Sequence, residues 1–236
     1  MEKNIADNYF TYFKKVNDLS KRGFMKQCKY YQYYYGGLMP ENKNIKILDI
    51  GCGAGHFLYF LKETGYTNYF GIDISEEQIE FCRENVSKDV AVADGFEFLK
   101  GNKNFNLIVL NDVLEHIAKE RLFEFLELVR RALESGGKLM IKVPNMANPF
   151  SMQIRYCDIT HDIGFTQSSL EQALMMAGFK DISVRGASYP VISFQSFVGK
   201  IIEKIIQVFV RFLLRVQGYN SSNALGEHLI SSASVN

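Results

Sequence analysis

Proline and cysteine are scarce in this chain of 236 residues, which contains four of each. So few prolines, with no serine- or glycine-rich linker, argue against a second independent domain. The cysteines, at positions 28, 52, 82 and 157, form no CxxC pair, so the sequence predicts no zinc site. Their wide spacing favours the reduced thiols of a cytoplasmic protein over a disulfide framework.

Charge of one sign and long apolar runs are also missing. The formal net charge is +1, so no basic field points to a nucleic-acid partner. No run of 18 uncharged apolar residues predicts a membrane span, and residues 1–10 lack the basic-then-apolar pattern of a signal peptide. What is present is a hydrophobic content of 47%, enough to form the core of one large α/β domain.

Apolar runs of strand length alternate with segments of helical spacing from residue 46 onward. Strands are predicted over residues 46–50, 69–72, 90–93, 107–110, 138–143, 181–184 and 191–194. Helices are predicted over residues 56–64, 75–85, 120–133 and 168–178. Capping boxes, Ser75 with Gln78 and Ser168 with Glu171, support the second and the last of these helices. Nearly all-apolar strands that alternate with helices predict a doubly wound, mostly parallel sheet with helices on both faces.

Two flanking segments are predicted outside this α/β domain of residues 45–195. Residues 1–44 read as helical, and their tyrosine cluster, residues 30–35, either closes over the site as a lid or packs onto the sheet. Residues 196–236 read as an amphipathic helix followed by a polar tail. The helical stretch, 197–216, combines a basic stripe with an unusually wide apolar face. That face would lie in a membrane interface, form a homodimer or cover the chain's own core.

Ligand-type residues follow the first three predicted strands. Strand one runs into a loop with glycines at 51, 53 and 55, which allow a tight turn and a close approach to a ligand. Strand two ends at Asp73, a candidate acceptor for ribose hydroxyls, and strand three at Asp94, a candidate acceptor for an adenine amino group. The alternatives are a helix-capping acid for Asp73 and a solvated turn acid for Asp94. Together the three positions predict an adenosine site.

The loop distinguishes between adenosine cofactors. The dinucleotide pattern GxGxxG would require a third glycine where this chain has His56, which argues against a nicotinamide dehydrogenase. The run from Ile47 to Gly55 instead resembles motif I of the class I S-adenosylmethionine-dependent methyltransferases. The resemblance continues through residues 71–75, 93–95, 107–117 and 133–139. It implies a seven-stranded Rossmann-like sheet, S-adenosylmethionine as cofactor and no metal.

The resemblance also implies roles for individual residues. The loop after strand one faces the methionine end of the cofactor, the residues after strand two hold the ribose, and those after strand three hold the adenine. The residues after strand four line the sulfonium. The cofactor-binding residues are thus predicted to be Asp49, Gly51, Cys52, Gly53, Gly55, Asp73, Ile74, Asp94, Gly95, Asn111 and Asp112.

The acceptor site is predicted between residues 145 and 167, after strand five. This stretch resembles an insertion in methyltransferases associated with glycan and lipid-linked sugar pathways. Its imidazole, His161, is the predicted base, because histidine can take a proton at neutral pH. The other predicted catalytic residues are Asp158 and His116, and the predicted acceptor-binding residues are Arg155, Tyr156, Tyr31 and Tyr35. The alternative is a polar loop that caps the next helix.

These features predict O-methylation of a sugar, a glycan-related molecule or another small polar acceptor. One alternative is N- or C-methylation of a small molecule such as a quinone-type ring. Another is a cofactor-binding scaffold without catalysis, although such a scaffold would not need the polar groups of residues 155–162 beside the sulfonium. The chain is expected in the cytoplasm, with peripheral contact at the inner membrane surface as a variant of that location.

Overall fold

The computed structural model describes residues 14, 15, 17–218 and 224–236. This part of the chain forms a seven-stranded sheet in the order β3-β2-β1-β4-β5-β7-β6. The strands are β1 (Ile47–Ile50), β2 (Tyr69–Asp73), β3 (Val90–Val92), β4 (Phe105–Asn111), β5 (Leu133–Pro144), β6 (Lys180–Ala187) and β7 (His228–Ser234). Strands β1 to β5 pair in parallel, and β7 is antiparallel to both of its neighbours. The predicted doubly wound fold is confirmed.

Helices cover both faces of the sheet, as the all-apolar strands require. They are α1 (Lys21–Tyr35), α2 (His56–Glu63), α3 (Glu76–Asn85), α4 (Gly95–Gly101), α5 (Leu122–Ala132), α6 (Ser151–Tyr156), α7 (Gln167–Met176) and α8 (Phe194–Val216). Successive residues of a strand point to opposite faces. Leu48 and Ile108 therefore pack with Leu126 of α5 in one core, while Ile47 and Leu107 pack with Phe57 of α2 in the other. Burying each such side chain contributes about 1.5–3 kcal/mol.

The predictions for the C-terminal third were partly wrong. Residues 191–194 form no strand, because the Ser193 side chain accepts from the Ser196 N–H and helix α8 begins at Phe194. The seventh strand is instead β7, which lies in the segment predicted to be a polar tail. The serines of β7 gave this strand the composition of a polar tail. Ser231 is nevertheless fully buried, between the buried residues Ile230 and Leu229 on one side and Ala233 on the other. His228, in the segment predicted to be a polar tail, lies in β7, where burial lowers the pKa of its imidazole to about 4.

Two helix starts show how local chemistry decides a boundary. The Ser75 side chain accepts a hydrogen bond from the Gln78 N–H, so Ser75 is the predicted N-cap of α3. The cap predicted at Ser168 was wrong. Thr166 and Ser169 form the capping box of α7, because each side chain bonds the other residue's backbone N–H.

The tyrosines of α1 pack against the body of the domain. Tyr31 and Tyr35 stack on each other, and both meet the ring of Phe57 edge-on. The packing alternative for this cluster is therefore confirmed, and a lid movement stays a prediction. The helical prediction for residues 1–13 lies outside the described residues.

Helix α8 turns its polar side toward the domain and its apolar side toward solvent, which is the reverse of an ordinary surface helix. None of its residues is buried, so it does not cover the chain's own core with its apolar face. Its polar side faces the domain, where Glu203 accepts from Ser188 and Gln207 and pairs with Lys200. The apolar side chains that face outward include Ile205, Val208, Phe209 and Phe212, each more than half exposed. In the part of the chain that the structure describes, no helix is long and apolar enough to cross a membrane.

Candidate active site

The carboxyl ends of β1, β2 and β4 meet at one edge of the sheet, beside the glycine loop. Strand β1 pairs with β2 on one side and with β4 on the other, so the crevice lies where the strand order reverses. In the loop, Gly51, Gly53 and Gly55 have φ values of +72°, +53° and +88°. A Cβ on Gly51 would also lie only 2.6 Å from Val113 Cγ2. Only glycine satisfies both the backbone conformation and the space.

Asp73, at the end of β2, holds the glycine loop in place. One carboxylate oxygen accepts a 2.9 Å hydrogen bond from the Gly53 N–H, and the other accepts one of 2.9 Å from the Ser75 N–H. Burial nevertheless raises the pKa of Asp73, although these backbone bonds oppose the rise. Asp73 therefore connects the loop after β1 to the start of α3, and ribose binding by its carboxylate stays a prediction.

Asp49 is a buried carboxylate that no cation among the described residues neutralises. It is 1% exposed, and within that part of the chain its oxygens make no close hydrogen bond. Burial raises its pKa well above the ordinary value, and the nearby Asp73 carboxylate raises it further. An uncompensated buried acid is costly unless a cation approaches it. The methionine end of S-adenosylmethionine carries an ammonium group, so the chemistry of Asp49 fits this cofactor.

Asn111 joins the N-terminal helix to the end of β4. The Tyr35 hydroxyl donates a 2.6 Å hydrogen bond to Asn111 Oδ1. The Asn111 Nδ2 group is buried, and the Asn111 side chain interacts with the Asp49 carboxylate and so opposes the rise in the pKa of Asp49. Asn111 thus connects Tyr35 to Asp49 at the predicted sulfonium side of the site. Tyr35 reaches the site by holding Asn111, which is a different contact from the predicted binding of the acceptor.

Asp112 forms an ion pair with Lys142 of β5. Partial desolvation of the half-exposed carboxylate would raise the pKa of Asp112, but the Lys142 ammonium, together with the nearby His228 and His116 rings, lowers it. The backbone of Asp112 has a φ of +54°, an uncommon conformation for a residue other than glycine. It turns the chain sharply after β4 and directs residues 113–116 across the edge of the sheet.

The predicted adenine and ribose side is more exposed. Asp94 caps α4, since its side chain accepts a 3.1 Å hydrogen bond from the Glu97 N–H. Gly95 lies against Ile50 and Phe125, so that an added Cβ would be 3.2–3.3 Å from both side chains. Ile74 is 44% exposed, as a residue that covers a ligand would be. Cys52 is buried against Gly71 and forms part of the core. Adenine binding by this group stays a prediction.

Residues 157–163 form a loop that follows α6 and is fastened to the turn after β4. The carbonyl of Glu115 accepts hydrogen bonds of 2.7 Å from the Asp162 N–H and 3.1 Å from the Ile163 N–H. The guanidinium of Arg155 donates to the carbonyls of His161 and Asp162. Arg155 therefore holds the loop closed. Its predicted contact with the acceptor, like that of Tyr156, which is 71% exposed, stays a prediction.

The fastened loop brings two predicted catalytic histidines together. The rings of His116 and His161 have centroids 4.8 Å apart. His116 Nδ1 lies 2.9 Å from Thr160 Oγ1, and that hydroxyl donates to Asp158 Oδ1 at 2.6 Å. Burial lowers the pKa of His116, and the neighbouring His161 lowers it further. All three predicted catalytic residues thus belong to one cluster, in which the Thr160 hydroxyl connects Asp158 to His116.

Glu115 is the residue of this cluster that the sequence analysis missed. It is 2% exposed, both of its carboxylate oxygens are without a partner among the described residues apart from its own backbone N–H, and burial raises its pKa well above the ordinary value. One oxygen of Glu115 and one nitrogen of each histidine all lie within 4.8 Å of one another. The sequence signal for Glu115 was its position beside His116 in the turn after β4. Only the histidine of this pair was predicted to be catalytic.

Comparison with known proteins places this geometry in a family. A family model described as a methyltransferase domain matches residues 29–184, which is more than half of the chain. The chain belongs to the class I S-adenosylmethionine-dependent methyltransferases. It is therefore an enzyme, its cofactor is S-adenosylmethionine, and its sheet is the Rossmann-like sheet of that family.

Individual relatives agree on the methyl transfer and differ in the acceptor. A ubiquinone biosynthesis O-methyltransferase of Pelagibacter ubique is 32% identical over 108 residues, which cover 44% of this chain and 43% of that enzyme. A methyltransferase structure from Archaeoglobus fulgidus has a TM-score of 0.67 and 25% identity, over 97% of this chain and all of that one. Phosphoethanolamine N-methyltransferase 2 of Haemonchus contortus, in complex with S-adenosylmethionine, has a TM-score of 0.62 and 20% identity, over 93% and 54%. This last similarity shows the fold alone.

Proposed function

We propose that this methyltransferase transfers the methyl group to a hydroxyl oxygen of a small, uncharged acceptor. The observation that supports this most is the contact between the rings of His116 and His161, which lie in the segments after β4 and β5. A hydroxyl must lose its proton during methyl transfer, so an O-methyltransferase needs a group that promotes this loss. The Pelagibacter relative, which is named as an O-methyltransferase, supports the same acceptor atom.

The cations of the site argue for an acceptor without a phosphate group. Lys142 is paired with Asp112, and Arg155 donates to two backbone carbonyls, so neither is available to an anionic ligand. An aminoalkyl phosphate, as used by the phosphoethanolamine N-methyltransferases, would need such a cation. A sugar hydroxyl or a phenolic hydroxyl does not. The sugar or glycan acceptor is one member of the proposed class, and a quinone-type ring with a free hydroxyl is another.

The cofactor would be held by residues on the first four strands. Asp49 offers its carboxylate to the ammonium group, the loop from Gly51 to Gly55 allows close approach, and Asn111 orients the Asp49 carboxylate. When bound, S-adenosylmethionine supplies a methyl group on a cationic sulfur. The residues of the chain align the acceptor with that carbon and exclude water.

The test is product formation from a panel of acceptors. The full chain is incubated with S-adenosylmethionine and a sugar, a phenol, a catechol or ethanolamine phosphate, and S-adenosylhomocysteine and the methylated product are measured by mass spectrometry. We expect turnover with a hydroxyl acceptor, and a kcat about 10²-fold lower in His161→Ala. Gln153→Ala, an exposed change on α6, is the control and should keep the wild-type rate. Methylation of ethanolamine phosphate alone would contradict the proposal.

We further propose that α8 places this activity at an anionic lipid surface. The outward face of α8 is apolar, and the helix carries four basic residues and one acid, Glu203, which is turned inward. The exposed apolar face would insert into the interface of a lipid surface, and the net positive charge of the helix would attract that surface when its headgroups are negatively charged. A homodimer through α8 is the competing arrangement.

Vesicle binding distinguishes these two arrangements. The wild-type chain should sediment with phosphatidylglycerol vesicles and much less with phosphatidylcholine vesicles, and Val208→Asp should remain in the supernatant. Met175→Asp changes an equally exposed apolar residue on α7 and should still bind. Light scattering that shows a dimer which Val208→Asp converts to a monomer, without vesicle binding, would refute the lipid proposal.

A further inference from the structure

The cluster of Glu115, His116 and His161 has the composition of a transition-metal site. One carboxylate oxygen and two imidazole nitrogens lie within 4.8 Å of one another. Two histidines and one carboxylate bind divalent metals such as Zn²⁺, Co²⁺, Mn²⁺ and Fe²⁺ on one side, and leave the other positions open to a ligand. A purely structural cluster would not require this set of ligand types.

The carboxylate of Glu115 is the strongest single indication. It is 2% exposed, and apart from its own backbone N–H its oxygens have no hydrogen-bond donor among the residues that the structure describes. Buried carboxylates in proteins are paired with a cation, hydrogen-bonded or bound to a metal. The nearby cation, Lys142, is already paired with Asp112. A metal ion between Glu115 and the two histidines would compensate the buried charge.

Both imidazoles are oriented as metal-binding histidines usually are. His116 Nδ1 lies 2.9 Å from Thr160 Oγ1, and His161 Nδ1 lies 3.3 Å from the carbonyl of Arg155. A histidine that binds metal through one ring nitrogen generally uses the other for such a contact, which fixes the direction of the ring. With Nδ1 engaged in this way, Nε2 of each residue would serve as the ligand.

The loop contacts hold this arrangement in place. The carbonyl of Glu115 accepts from the N–H groups of Asp162 and Ile163, so the residue that supplies the carboxylate also fixes the position of His161. Arg155 closes the same loop from the other side. A set of ligands on two fastened segments loses little conformational entropy when an ion binds.

From these observations we infer that Glu115, His116 and His161 bind one divalent transition-metal ion, whose open positions take the acceptor hydroxyl. The existence of this site stands on the cluster alone, and its catalytic role rests on the proposed function. The inference departs from the expectation of a metal-free enzyme, which was based on the cysteine spacing and on the family. Zn²⁺ and Co²⁺ fit the two imidazoles better than Mg²⁺ or Ca²⁺, which prefer oxygen ligands.

The ion would promote loss of the hydroxyl proton. A hydroxyl oxygen bound to a divalent metal is far more acidic than a free one, so its proton passes to solvent water. The oxygen then uses an electron pair to form the bond to the methyl carbon. The bond between that carbon and the sulfur breaks, and the sulfur keeps the electron pair as a neutral thioether. In this scheme the two histidines act as ligands, and neither serves as the base.

Metal uptake by the isolated chain tests the site without any acceptor. The full chain, stripped with a chelator and dialysed, is titrated with Co²⁺ and with Zn²⁺, by visible absorption and by calorimetry respectively. We expect one ion per chain, and at least 10²-fold weaker binding in Glu115→Gln and in His161→Ala. Glu120→Gln, an exposed change in the adjacent turn, should bind as the wild type does. If circular dichroism shows that Glu115→Gln does not fold, the loss of metal binding is judged from His161→Ala, whose substitution lies in a surface loop.

The outcomes separate this inference from the proposed function. No uptake, or uptake that neither ligand variant weakens, overturns the metal site, even if the enzyme methylates hydroxyl acceptors. Specific uptake without turnover of any hydroxyl acceptor keeps the metal site and refutes the proposed function. If both stand, chelator treatment should lower turnover at least tenfold and added Co²⁺ or Zn²⁺ should restore it. Full turnover by the metal-free chain would overturn the catalytic role.

Discussion

The Tyr35 hydroxyl donates a 2.6 Å hydrogen bond to Asn111 Oδ1, although the two residues are 76 positions apart in the sequence. This bond connects the helix that precedes the α/β domain to the end of β4. Asn111 in turn lies beside the buried Asp49 carboxylate, as its effect on the pKa of Asp49 indicates. The N-terminal helix therefore supports the site as well as the core.

Removing this hydroxyl should cost both stability and cofactor affinity. Tyr35→Phe leaves Asn111 Oδ1 buried without its donor, which should lower the free energy of unfolding by about 1–3 kcal/mol. Because Asn111 is then less well oriented, binding of S-adenosylhomocysteine should weaken by about tenfold. Urea unfolding and calorimetry measure the two effects. Tyr33→Phe, at a tyrosine that is 45% exposed, should change neither.

Asp73→Ala tests the connection between the glycine loop and β2. The variant loses the acceptor for the Gly53 N–H and the predicted acceptor for the ribose hydroxyls, so we expect binding of S-adenosylhomocysteine to weaken by more than tenfold. Glu84→Ala, an exposed position on α3, is the matched control. An Asp73→Ala affinity equal to that of the wild type would show that the cofactor lies elsewhere.

Asp49→Asn should have opposite effects on the apoprotein and on ligand binding. The folded-state pKa of Asp49 is raised by burial and by Asp73, so its stabilising contribution is present at low pH and is lost as the pH rises through that value. The variant should therefore be more stable than the wild type by about 1–3 kcal/mol at pH 8, with little difference at pH 4. Its affinity for S-adenosylhomocysteine at pH 8 should fall, since the negative charge is gone. Chemical unfolding at the two pH values measures the first effect, and a constant difference would contradict it.

Substitutions at two glycines with similar backbone conformations distinguish the cost of backbone strain from that of a steric clash. Gly51 and Gly65 have φ values of +72° and +84°, but an added Cβ at Gly51 would lie 2.6 Å from Val113, while one at Gly65 would have no described atom within 4 Å. Gly65→Ala should lose about 1–2 kcal/mol from the backbone conformation alone. Gly51→Ala should lose more in urea unfolding and should also lose cofactor binding. Equal losses would show that Val113 moves aside freely.

Asn145 should be essential for the C-terminal part of the sheet. It is fully buried, and its Nδ2 group donates 2.8 Å hydrogen bonds to the carbonyls of Ala224 and Gly226, just before β7. Asn145→Asp keeps the shape but removes both donors, so the free energy of unfolding should fall by about 2–4 kcal/mol. Asn85→Asp removes one exposed amide donor on α3 and should cost under 1 kcal/mol. Thermal unfolding of both variants makes the comparison.

The sequence predicts those parts of the fold whose signal is local. The five parallel strands and three of the four helices between them follow from apolar runs and caps, and each of those strands lies within a few residues of its predicted position. The short helix α4 between β3 and β4 was missed. Strand β7 was missed because its serines become buried only by pairing with β5 and β6, a contact that no local pattern reveals. The site shows the same division. Asp49 and Asp73 could be found from their place after a strand, whereas the cluster around Glu115 forms only when a loop more than forty residues away folds back onto it.

The position of β7 in the sheet has a consequence for synthesis. Strands β5 and β6 leave the ribosome before β7, and they do not pair with each other, because β7 lies between them. Until β7 arrives, each presents an unpaired edge of backbone N–H and carbonyl groups that another chain could occupy. During synthesis there is therefore an interval in which strands β1 to β5 can already pair in parallel, while the strand edges that will later bind β7 are still unpaired. Translation speed over the stretch that includes α8, and chaperone access during that interval, should then govern how much of the enzyme escapes aggregation.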